Sequence, residues 1–167
     1  MDFTIERATP EDAEELLLYL KQIGKETDNL TFGEEGLPFT VEEEQAFLSG
    51  MQNTSNGIML LAKSNGRIVG NASLSRLPRR MSHCGDLSIS VARSHWGIGI
   101  GSALMEELLL YAKSNAYESI DLQVRSDNLR AIQLYRKFGF QSVGTRPSLF
   151  KIDSRYADVD FMYLLLK

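Results

Sequence analysis

The chain has 167 residues, 43% of them hydrophobic and 24% charged, with a formal net charge of −4. That length suits one domain spanning 1–167, able to bury about two-thirds of the surface of its unfolded chain, so neither a disulfide nor a structural metal is needed. The acidic balance argues against nucleic acid as a partner, one cysteine excludes an intrachain disulfide, and two histidines with one cysteine give no zinc-ligand spacing. The opening residues are acidic and lack a basic-then-apolar leader, and no apolar run approaches the ~18 residues needed to cross a bilayer. A cytoplasmic protein with no membrane partner is expected.

Alternation of Phe3, Ile5 and Arg7 with Thr4 and Glu6 predicts an opening strand. Thr9-Pro10-Glu11-Asp12 marks a helix start, and Leu16, Leu17, Leu20 and Ile23 continue it with a period near 3.6. Residues 24–40 read as loop. Thr40, with Glu43 three positions on, forms a capping box for a second helix running to about Gln52. Strands are predicted over 57–62 and 68–74, joined by the hairpin signal Asn65-Gly66. A strand over 86–91, a helix over 102–114, a strand over 120–124 and a helix over 128–138 follow. Residues 140–143 start another strand, and 158–166 close the chain with the last. Seven strands interrupted by helices imply an α/β (α+β) fold: a mixed, largely antiparallel central sheet flanked by helices.

The most informative segment carries Gly97, Gly99 and Gly101 between a strand and a helix. Alternating glycines allow unusual dihedrals and close approach of a ligand. The first amides of the helix lack internal acceptors, and the helix dipole adds positive potential, so a pyrophosphate is the natural occupant. A P-loop would need lysine after the last glycine, and Ser102 stands there instead. A dinucleotide-binding loop needs G-x-G-x-x-G; Asp121 lies at the right remove, but at the start of its strand instead of the end. A glycine-rich turn without a ligand is the plainest alternative.

Trp96-Gly97-Ile98-Gly99-Ile100-Gly101, together with Asn128, Ala131, Tyr135, Gly139 and Phe140, resembles the two hallmark motifs of the GNAT superfamily of N-acetyltransferases. Trp96 replaces the usual Arg or Gln. The order of elements matches that family throughout. The resemblance implies the GNAT fold, acetyl-CoA as co-substrate, an amine acceptor, no metal, and a homodimer paired through C-terminal strands as in related domains. It implies that the backbone of Ile89, Ser90 and Val91 pairs with the pantetheine arm. Residues Trp96, Gly97, Ile98, Gly99, Ile100, Gly101 and Ser102 would cradle the pyrophosphate. Asn128 would bond to the cofactor arm, and Tyr135 would protonate the departing thiolate. Structural readings stand beside these: Asn128 as a helix cap, Tyr135 as a core aromatic.

Direct attack by a neutral amine needs a base, because an alkylamine has a pKa near ~10. Asp86, at the head of the strand that would carry the cofactor, is the first candidate, as many relatives hold an acid there; His83 is second. A backbone amide near Val91 would serve the oxyanion. Glu26, Asp28, Glu34 and Glu35 could draw a cationic acceptor, which the resemblance extends to polyamines, amino acids, small amines and protein N-termini. A non-catalytic coenzyme A sensor on the same fold would keep the glycine loop and lose the proton-handling groups. A dinucleotide-binding oxidoreductase would need a fully parallel sheet, against the Asn65-Gly66 hairpin.

Overall fold

The computed structural model describes residues 2–166. Its centre is a seven-stranded sheet in the order β1-β2-β3-β4-β5-β7-β6. β1 (Thr4–Arg7) leads through a 3-10 turn at Pro10–Asp12 into α1 (Ala13–Glu26) and α2 (Val41–Gln52). The Thr40 capping box is formed in full: Thr40 Oγ1 accepts from the Glu43 amide at 3.1 Å, and Glu43 Oε2 accepts from the Thr40 amide at 2.9 Å. β2 (Gly57–Ser64) and β3 (Arg67–Arg76) form the expected hairpin, with Asn65 at φ 50° and Gly66 at φ 74° as a type I′ turn demands. β4 (Cys84–Val91), α3 (Ile100–Ser114), β5 (Ser119–Arg125), α4 (Leu129–Lys137), β6 (Gln141–Ile152) and β7 (Arg155–Leu165) complete the chain.

β2 and β3 are buried along most of their length, whereas β4 and β5 alternate buried apolar with more exposed polar residues. One core joins α3 and α4 to the sheet through Leu104 and Leu108 of α3, Ile132 of α4, and Ile120 and Leu122 of β5. The other joins α1 and α2 to it through Leu16, Ile23, Leu48 and Leu61. Among the described residues, no helix is long and apolar enough to cross a membrane.

One feature of the sheet creates the site. All neighbouring strands are antiparallel except β4 and β5, which pair in parallel only where Cys84, Gly85 and Asp86 face Ser119, Ile120 and Asp121. Past that point β4 runs on to Val91 paired only with β3, and β5 runs on to Arg125 paired only with β7. The sheet forks, and the edge of β4 facing the fork has no strand beside it.

The sheet differs from expectation at its far edge. β6, expected to start over 140–143, runs from Gln141 as far as Ile152, and β7 begins at Arg155, three residues ahead of the expected 158. β6 is exposed along most of its length, so no buried face imposes an alternating pattern. Its Pro147 sits at a register shift on an edge strand, where a missing N–H is tolerated.

Candidate active site

A cavity of about 830 Å³ occupies the fork. β4 and β5 form its walls, the glycine loop and the start of α3 form one end, and α4 and the α1–α2 loop close over it.

Ala92 donates its amide to Val69 of β3 at 2.9 Å. Because antiparallel backbone groups alternate in direction, Ser90 likewise turns toward β3, while Ile89 and Val91 turn toward the fork. The Ser90 side chain is also engaged, lying 2.9 Å from the buried Tyr19 hydroxyl and donating to Asn71 Oδ1. Of the three strand residues, Ile89 and Val91 therefore present backbone to the cavity. The Val91 carbonyl is already bound by the Trp96 indole N–H at 2.7 Å. Trp96 thus has a definite function despite replacing Arg or Gln: it fastens the glycine loop to the end of β4. Arg130 covers its ring, with the guanidinium 4.5 Å from the centroid.

The three glycines do different things. Gly97 at φ 78° and Gly99 at φ 94° occupy the left-handed region, and Gly99 is the N-cap of α3. Having no side chain, Gly99 makes no side-chain cap bond, so the first amides of the helix are left for another acceptor. Gly101 is a packing glycine: a Cβ there would sit 3.2 Å from Leu134 of α4. Ile100 is an anchor buried in the core, and the exposed Ile98 does not line the cavity. The helix starts at Ile100, two residues ahead of expectation, because the cap carries no side-chain signal. Lys137 of α4 donates to Ser102 Oγ at 3.0 Å, which sets an ammonium beside this N-terminus. A cation there opposes the helix dipole and favours an anion between them.

Asn128 caps α4, its Oδ1 accepting from the Ala131 amide at 3.3 Å, and its side chain also borders the cavity. Gly139, at φ 91°, ends α4 and turns the chain so that Phe140 folds back onto Tyr135, ring centroids 5.8 Å apart. That contact explains the spacing of the second motif. Tyr135 is 5% exposed, lines the cavity, and its hydroxyl has no hydrogen-bond partner among the described residues. Burial pushes its phenol well above the ordinary value, so it stays protonated at neutral pH.

Asp86 lines the cavity at the last rung before the strands part, directly beside Asp121. Desolvation first, then the Asp121 carboxylate, raises its carboxyl above the usual range. His83 is exposed ahead of β4 and does not line the cavity. Cys84 is held at the base of the fork, its Sγ accepting from Ser119 Oγ at 3.1 Å. Among the four acids of 24–40, Glu26 alone borders the main cavity, and its carboxylate is bound by the Arg93 amide at 2.8 Å. Sequence reasoning missed Lys137 and Arg130, whose roles depend on how α4 packs against α3 and the loop.

The uncapped amides, the open strand edge and the partnerless phenol suit a long anionic thioester better than a compact nucleotide. An antiparallel β2–β3–β4 meander excludes the dinucleotide-binding fold. The model of the Acetyltransferase (GNAT) family matches residues 21–140. The N-alpha-acetyltransferase RimI of Mycobacterium tuberculosis is 39% identical over 92 residues, 54% of this chain and 56% of that protein. The L-amino acid N-acetyltransferase AaaT of Escherichia coli is 33% identical over 62% of this chain and 65% of its own length. The chain thus spans less than two-thirds of either curated relative. A crystal structure of a GNAT-family acetyltransferase from Streptococcus pneumoniae superposes with a TM-score of 0.95 at 33% identity, covering 99% of this chain and 100% of that one. On the family match and on this full-length likeness, the chain belongs to the GNAT family of acetyltransferases.

Proposed function

We propose that this protein transfers an acetyl group from acetyl-CoA to a primary amine by direct attack within a ternary complex. The observation that carries the reading is the convergence on one cavity of the uncapped α3 amides, the open β4 edge, Asp86 and the partnerless Tyr135 hydroxyl. Acetyl-CoA supplies the activated acetyl group. The amides from Gly97 to Ser102, helped by Lys137, hold its pyrophosphate. Ile89 and the Val91 amide pair with the pantetheine arm, and Asn128 bonds to it with the side-chain N–H groups left over from capping. The Val91 amide lies where the pantetheine meets the thioester, so the acceptor it faces there is the acetyl carbonyl oxygen that becomes the oxyanion. Tyr135 is protonated across the neutral range and gives that proton to the thiolate as it leaves.

Asp86 takes the amine proton, directly or through a water. Its role has a defined sign. The carboxyl is raised, so the base is competent above that raised pKa and is lost as pH falls through it. Asp86→Asn is expected to lower kcat/KM about 10- to 100-fold near neutral pH. The gap should narrow as pH approaches the amine's own pKa of about 10, where no base is required. A pH–rate profile of the variant checks this, and a constant gap across the range would remove Asp86 as the base. The function itself is tested by acetyl-CoA-dependent thermal stabilisation followed by thiol release with a panel of amines. Stabilisation without thiol release would favour a coenzyme A sensor.

A further inference from the structure

We infer that the acceptor is a primary amine with no carboxylate on the carbon bearing it, such as an amino-acid amide or peptide N-terminus instead of a free α-amino acid. This rests on the acetyltransferase reading and narrows its acceptor. The charges where β4 and β5 part set this preference. Asp86 faces that end of the cavity with Asp121 beside it in register. A substrate carboxylate placed there meets like charge and needs a cation in compensation.

Among the described residues, the basic side chains lining the cavity are Arg125, Arg130 and His95. Arg125 is committed. Its Nε and Nη2 donate to the two Asp127 carboxylate oxygens at 3.0 and 2.6 Å, and its Nη1 donates to the Asp28 carbonyl at 3.0 Å. All three of its nitrogens are used on protein acceptors, and its side chain is 16% exposed. Arg130 stacks on Trp96 at the glycine-loop end, and His95 sits in the same loop with Nδ1 2.8 Å from Ser94 Oγ. Where β4 and β5 part, the cavity lining therefore offers the Asp86 carboxylate and no free cation, while Lys25 and Arg93 line a smaller cavity on the far side of the Arg125–Asp127 pair. Leu30, Phe32 and Phe150 add apolar lining suited to a hydrocarbon side group.

The test compares L-leucinamide with L-leucine, and L-phenylalaninamide with L-phenylalanine, at saturating acetyl-CoA. Each kcat/KM is divided by the fraction of free-base amine, so that the lower pKa of the amides does not decide the result. The amides are expected to exceed the acids by on the order of a hundredfold, the penalty for an unpaired like charge at a recognition site. Equal rates, or faster acetylation of the free acids, would overturn the inference. So would acetyl-CoA binding with none of the four amines acetylated, an outcome that leaves the coenzyme site standing. Absence of acetyl-CoA binding would instead bring down the functional reading, and this inference with it.

Discussion

Tyr135→Phe is expected to lower kcat by about 10²- to 10³-fold while the Kd for acetyl-CoA stays within about twofold, because general-acid assistance is worth roughly 10²–10⁴. The substitution removes one oxygen and keeps the ring that packs against Phe140. Folding should be unaffected: the hydroxyl lines the cavity and has no protein partner to lose. The variant thus separates chemistry from packing. Stopped thiol release together with an unchanged or higher melting temperature is the predicted pair of results. Full turnover by the variant would reduce Tyr135 to a core aromatic.

The second large effect is expected at the coenzyme loop. Gly99→Val should raise the KM for acetyl-CoA about 100-fold or more with the protein still folded. A Cβ at this position meets nothing within 4 Å, so the loss does not come from a clash. It comes from φ 94° at the N-cap, a conformation that costs an L-residue about 1–2 kcal/mol and a β-branched one more. The chain relieves that strain by turning the loop away, and the first α3 amides then no longer converge. Gly101→Val makes a useful contrast, because there the Cβ sits 3.2 Å from Leu134 and the expected damage is to α3–α4 packing and stability. Coenzyme titration and thermal melts of the two variants check the distinction.

How far the sequence anticipated this structure depended on whether the controlling interaction is local. The Thr40 capping box and the Asn65-Gly66 turn are local, and both form as read. The glycine loop was legible because its chemistry belongs to the backbone, although nothing in it showed that Gly97 and Gly99 serve conformation while Gly101 serves packing. The β6–β7 hairpin was largely hidden. It turns on Asp153 at φ 47° and Ser154 at φ 67°, neither of them glycine, and β6 has no buried face to impose alternation. The fork could not be read, since a parallel register that ends after Asp86 and Asp121 is a tertiary property. The same holds for Trp96 on the Val91 carbonyl and Lys137 on Ser102: each side chain was visible, and each partner was set by packing. Ser90 shows the same limit from the other side, because strand alternation turns its backbone away from the fork while its neighbours face it.

Every proposed step needs an anion held by the uncapped amides at the head of α3. The direct measurement is an NMR titration of ¹⁵N-labelled protein with acetyl-CoA, following the amides from Gly97 to Ser102. These resonances are predicted to move most, along one saturating curve whose Kd matches that from calorimetry. Saturable binding of acetyl-CoA that left them in place while amides elsewhere shifted would contradict that binding mode.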